Sequence, residues 1–80
     1  MPEAYIMINV EPGSEDTVLK ELIKIEGVKE AYVVFGVYDI IAKVEVESTN
    51  KLRELIVSNV RKLKIRSTQT VIVASGPKKL

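Results

Sequence analysis

Cysteine and histidine are both absent from this chain, and the two absences exclude much chemistry. Without cysteine there is no disulfide framework and no thiolate metal site. Without histidine, the commonest metal ligand and the commonest general base are missing together. Catalysis would have to rest on Asp, Glu, Lys, Tyr or Ser alone. A strong charge of one sign is also missing: 12 Lys and Arg oppose 11 Asp and Glu, for a formal net charge of +1. That balance argues against nonspecific attraction to nucleic acid or to a membrane surface. No apolar run is long enough to span a bilayer, and no signal-peptide pattern precedes the first periodic segment. A cytoplasmic protein is expected, with no cofactor.

What remains is ordinary for one globular domain. Eighty residues, 46% of them hydrophobic, sit near the lower size at which a single core suffices. The domain is expected over residues 1–75, with a short tail over 76–80.

The apolar periods alternate along the chain. Ala4 to Val10 reads as a strand with Ala4, Ile6, Ile8 and Val10 on one face and Tyr5 and Met7 on the other. Glu11-Pro12-Gly13 breaks it, and Ser14 is a candidate N-cap ahead of Glu15 and Asp16. Val18, Leu19, Leu22, Ile23 and Ile25 follow as the buried stripe of a helix, which Gly27 ends as the C′ residue. Val28 to Phe35 is a second strand, and Gly36 to Asp39 a tight connection into a third that runs to Glu47. So short a link requires an antiparallel hairpin. Ser48 or Thr49 caps a second helix carrying Leu52, Leu55, Ile56, Val60 and Leu63 on one face, and Ile65 to Ala74 is the last strand. The order β-α-β-β-α-β predicts a ferredoxin-like α+β domain: a four-stranded antiparallel sheet with both helices on one face.

The helix-free face of such a sheet normally meets water and reads polar. Here the first two strands are apolar on both sides, and Tyr5, Met7, Ala31, Val33 and Phe35 are assigned to the open face. An apolar area of that size on a monomer is an association liability, so a dimer through this face is expected.

The segment Glu26-Gly27-Val28 through Val34-Phe35-Gly36-Val37-Tyr38-Asp39-Ile40-Ile41 carries a Gly-x-Tyr-Asp hairpin. Together with the spaced leucines of the second helix and Ser67-Thr68-Gln69-Thr70-Val71, it resembles the C-terminal effector-binding (RAM) domain of the Lrp/AsnC family. The likeness runs from Ala4 to Ala74. It implies dimers through the sheets, assembly to higher order up to an octamer, and a small effector, often an amino acid, held between dimers. It also implies a role in transcriptional regulation. Full-length relatives carry a DNA-binding helix-turn-helix ahead of this domain, and residue 1 stands almost at the first strand. The expectation is therefore a stand-alone version without DNA binding of its own. Phe35 departs from the Thr or Ser that many relatives carry before the motif glycine, which bears on the identity of the ligand.

The candidate ligand residues are Gly36, Val37, Tyr38, Asp39, Thr68 and Thr70. Gly36 permits close backbone approach. Asp39 suits an α-ammonium, backbone amides suit a carboxylate, and the threonine hydroxyls suit remaining polar groups. Each also has a plain structural reading. Gly36 serves as a turn glycine, Asp39 as an Asx-type turn residue, Tyr38 as packing, and the threonines as good strand formers. Arg61, Lys62, Lys64 and Arg66 read as a solvated helix end. Two functions stay open: an oligomeric effector sensor that is not an enzyme, or a ligand-free partner that co-assembles with full-length regulators of the family. An RNA-recognition motif lacks its basic and glycine context around Tyr32 and Phe35, and an acylphosphatase would need an arginine in the first loop, where Glu11-Pro12-Gly13-Ser14 has none. An ACT-like amino-acid-binding domain comes closer, and the Gly-x-Tyr-Asp hairpin separates it from the family named above.

Overall fold

A computed structural model of the chain describes residues 2–76. The expected tail falls, from Pro77 onward, outside the described residues. The elements are β1 (Glu3–Val10), α1 (Glu15–Leu22), β2 (Val28–Val33), β3 (Ile40–Glu45), α2 (Thr49–Ser58), a 3-10 turn (Val60–Lys62) and β4 (Ile65–Ile72). The strands form one antiparallel sheet in the order β2-β3-β1-β4. The ferredoxin-like arrangement read from the sequence is the one observed.

Alternation along the two central strands builds the core. Ala4, Ile6 and Ile8 of β1 stand opposite Val44, Ala42 and Ile40 of β3, and all six are buried. Val18 and Leu22 of α1, Leu52 and Leu55 of α2, and Val60 fill the layer above, with no polar side chain buried among them. Each such aliphatic side chain contributes about 1.5–3 kcal/mol by leaving water.

Three details differ from the sequence reading. First, α1 stops at Leu22 rather than continuing to Gly27. The Lys24 and Ile25 N–H groups bond back to Glu21 and Leu22 at 3.2 and 3.0 Å. These tighter turns swing Ile25 against the core and leave Ile23 59% exposed. Gly27 instead serves the turn into β2, at φ +102°, where an added Cβ would stand 3.0 Å from Leu55 Cδ1. Second, the α-helix of α2 ends at Ser58, and the 3-10 turn that follows carries Val60 back into the core. The apolar face of α2 thus survives a change of helix type. Third, β2, β3 and β4 each end sooner than expected, so Phe35 lies beyond the end of β2.

The open face also needs correction. Ala31 and Val33 pair with Ala42 and Ile40, which face the helices, so neither belongs to the helix-free side. Ala31 and Val33 alternate with Tyr32 and Val34, so the apolar pattern of this stretch does not say which side is which; pairing with β3 decides it. The open face instead carries Tyr5, Met7, Tyr32, Ile41 and Val71, set by the pairs Tyr5↔Val71, Met7↔Ile41 and Tyr32↔Ile41. Tyr5 and Met7 stand where the sequence puts them, and Tyr32 takes the place given to its neighbours.

The two helix starts differ in a way that mutation can read. Ser48 is extended (φ −155°, ψ 167°), and its Oγ accepts the Lys51 N–H at 3.2 Å. Ser14 occupies the equivalent position on α1 at ψ 2°, with no side-chain capping bond. Ser48→Ala is expected to lower stability by about 1 kcal/mol, and Ser14→Ala to change it by much less. Denaturant unfolding of both variants checks the contrast.

Candidate functional site

The connection between β2 and β3 is built around Asp39. Its N–H donates to the Ile8 carbonyl at 3.0 Å and its carbonyl accepts from the Val34 N–H at 2.8 Å, so the residue extends pairing toward both strands. The carboxylate does more. Oδ2 accepts the Val10 N–H at 3.0 Å, beside the register shift between Asn9 and Val10 in the β1–β4 pairing. Asp39 therefore ties the hairpin to the end of β1, a wider structural role than a bond within its own turn. Among the described residues no side-chain hydrogen bond engages Oδ1.

Tyr38 reaches further. Its hydroxyl donates to Gln69 Oε1 of β4 at 3.0 Å, and Gln69 pairs with Met7 on the open face. Asn9 Nδ2 donates to Ser67 Oγ at 3.3 Å on the same side. The tip itself is bare: Phe35 and Val37 are almost wholly exposed. Gly36 has φ +150° and nothing within 4 Å of an added Cβ, so its backbone is open to approach. Gly36 is thus a turn glycine by conformation and accessible by position.

Thr68 and Thr70 lie elsewhere. They pair with Ile8 and Ile6, so they face the helix side, the opposite side of β4 from Gln69. There they line a groove of about 350 Å³ beneath α2, with Leu52, Ile56, Arg53 and Arg61. The two halves of the site expected from the sequence are therefore on opposite faces of the sheet. Within one chain the hairpin meets β4 through Gln69, not through the threonines. Sequence reasoning misses Arg53, and Arg61 belongs to this groove rather than only to a solvated helix end. A larger depression of about 550 Å³ lies between the β2–β3 end and α2. Glu26, Glu45, Glu47 and Glu54 outnumber Lys29 and Lys51 around it, and Lys51 pairs with Glu54 at 3.5 Å, so its lining is acidic.

The open face has its own electrostatics at the end remote from the hairpin. Lys43 Nζ lies 3.5 Å from Glu3 and 4.0 Å from Glu30. Glu3 beside it holds the ammonium above its ordinary range. Tyr32 donates to Glu30 at 2.7 Å, and that bond pushes the phenol upward as well. These groups are solvated and set the polarity of the rim.

The same strands, hairpin and helices recur in known proteins. The family described as Lrp/AsnC ligand binding domain matches residues 3–80. An uncharacterized HTH-type transcriptional regulator of Pyrococcus abyssi is 36% identical over 76 residues, which is 94% of this chain and 48% of that protein. The chain thus spans about half the length of that curated relative. Among solved structures, FFRP-DM1 is 39% identical with a TM-score of 0.87, covering 91% of this chain and 99% of that one. E. coli AsnC is 27% identical with a TM-score of 0.91, covering 99% of this chain and 54% of its own.

Two substitutions separate the structural and electrostatic parts of Asp39. Asp39→Ala leaves the part-buried Val10 N–H without its acceptor and is expected to cost about 1–3 kcal/mol. Asp39→Asn keeps an oxygen for that N–H and is expected to retain most of the stability. Equal losses in thermal unfolding would show that the charge itself holds the hairpin.

Proposed function

The chain belongs to the Lrp/AsnC ligand binding domain family, and on that premise we propose that it is an effector-binding regulatory domain, not an enzyme, that holds a small amino acid between copies of itself. The observation that carries this reading is the division of the polar groups between opposite faces of the sheet. The hairpin offers an exposed Gly36 backbone and an Asp39 carboxylate, while the groove under α2 offers Thr68 and Thr70. Neither half encloses a ligand alone. A hairpin from one copy laid against the groove of another assembles both. Asp39 then meets the α-ammonium through Oδ1, and backbone N–H groups around Gly36 meet the α-carboxylate. The threonine hydroxyls face the ligand side chain. Phe35 and Val37, bare in one chain, become contacts between copies.

The open face supports assembly independently. Tyr5, Tyr32 and Val71 are 39%, 51% and 48% exposed, with Met7 and Ile41 between them. A second sheet packed there removes this area from water. In support of the ligand class, the feast or famine regulatory protein from M. tuberculosis, 24% identical with a TM-score of 0.82, was solved complexed with L-methionine. The regulatory role rests on the P. abyssi relative's description as a transcriptional regulator: ligand occupancy is read as a change in assembly or partner affinity. A second reading, ligand-free co-assembly with full-length regulators of the family, draws on the apolar open face alone.

A thermal-shift screen against the amino acids separates the two. A ligand selective for the native state raises the melting temperature, and Asp39→Asn is expected to weaken its binding about ten- to a hundredfold by removing a charge-assisted bond. No shift with any amino acid would leave only the second reading. For the assembly, Met7→Glu places a charge in the middle of the open face and is expected to shift the protein toward monomer in sedimentation. A wild-type monomer at micromolar concentration would contradict the sheet-to-sheet dimer.

A further inference from the structure

The groove between α2 and β4 is unusual in its charge. Arg53 and Arg61 line it with Thr68, Thr70, Leu52 and Ile56, and no carboxylate is among its lining residues. Among the described residues neither guanidinium takes part in an ion pair; the pairs found involve Lys24, Lys43 and Lys51. An enclosed ligand would leave these cations short of water, and an uncompensated charge removed from water is costly. Neutralisation has to come from the occupant.

We propose that this groove selects an amino acid with a carboxylate side chain. The inference rests on the composite site described above and adds its specificity. In that site one Asp39 carboxylate faces two guanidinium groups, which leaves one positive charge. A neutral zwitterion does not cancel it, because its ammonium and carboxylate offset each other. A dicarboxylic amino acid carries one further negative charge and closes the balance. Guanidinium groups fit such a ligand well, since each offers a planar fork of donors that matches a carboxylate in bidentate fashion. Thr68 and Thr70 supply neutral donors beside them, and Leu52 and Ile56 form the apolar floor against the methylenes of the ligand. A basic side chain is repelled by the same arrangement.

Calorimetric titration of the intact oligomer with L-glutamate and L-aspartate, beside their near-isosteric amides L-glutamine and L-asparagine, tests this directly. One acidic amino acid is expected to bind about ten- to a hundredfold more tightly than its amide. Arg53→Gln and Arg61→Gln, both at exposed positions, are expected to fold normally and to shrink that ratio toward one. Arg53→Glu is expected to reverse it, favouring L-lysine. Equal binding of acid and amide by the wild type would overturn the proposal. Inorganic phosphate competing as strongly as the acidic amino acid would overturn it too, marking the arginines as a general anion patch. Selective binding of a neutral or basic amino acid defeats this inference while leaving the composite site intact, whereas no binding by any amino acid defeats both.

Discussion

The pairing of β1 with β3 on one side and β4 on the other is the constraint from which the remaining structure follows. Side chains alternate with a period of two, so each register decides the face of every residue on the strand. Ile6 opposite Ala42 puts the aliphatic row beneath the helices. Met7 opposite Gln69 puts Gln69 on the open side, where Tyr38 reaches it. Ile8 opposite Thr68 carries the threonines to the helix side. Moving β4 by a single residue would exchange Gln69 with the threonines, and no separate groove would remain.

The hairpin depends on the same pairing. Asp39 bonds Ile8 with its backbone and Val10 with its carboxylate, at the place where the β1–β4 register shifts. A loop anchored this way holds its exposed tip against a firm base. That is the arrangement needed if Phe35, Gly36 and Val37 are to meet another copy without a large loss of conformational freedom on contact. The same anchor explains how one residue can serve structure and ligand together: one carboxylate oxygen is committed to the strand, and the other faces outward in the proposed site.

Much of this is legible in the sequence. The βαββαβ order, the buried rows of β1 and β3 and the Ser48 cap all follow from period and capping chemistry. Other features are hidden for physical reasons. The face of Ala31 and Val33 is hidden because Tyr32 and Val34 between them are apolar too, and the pairing of β2 with β3 slips between Val28 and Glu30. Ile23 keeps the helical spacing of a buried residue, yet it is the C-cap of α1 and stands exposed, with the chain tightening directly after it. Thr68 and Thr70 do share a face, as alternation requires, but sequence cannot say that it is the face away from the hairpin. Gln69, between them, reads as an ordinary polar strand residue. The signal for it is Tyr38, whose hydroxyl needs a partner. Arg53 looks like an ordinary exposed helix residue, and only the packing of α2 over β4 places it beside Thr68 and Thr70.

The central claim is that the ligand site is shared between copies, hairpin from one and groove from another. Mixing two defective proteins tests it most directly: Asp39→Asn, impaired in the hairpin, and a Thr68→Val, Thr70→Val double variant, impaired in the groove. Each alone is expected to bind the effector weakly. After subunit exchange at equal amounts, about a quarter of the sites should combine an intact hairpin with an intact groove, and titration should recover that fraction at wild-type affinity. A mixture that binds no better than its two components would contradict the account and return the site to a single chain.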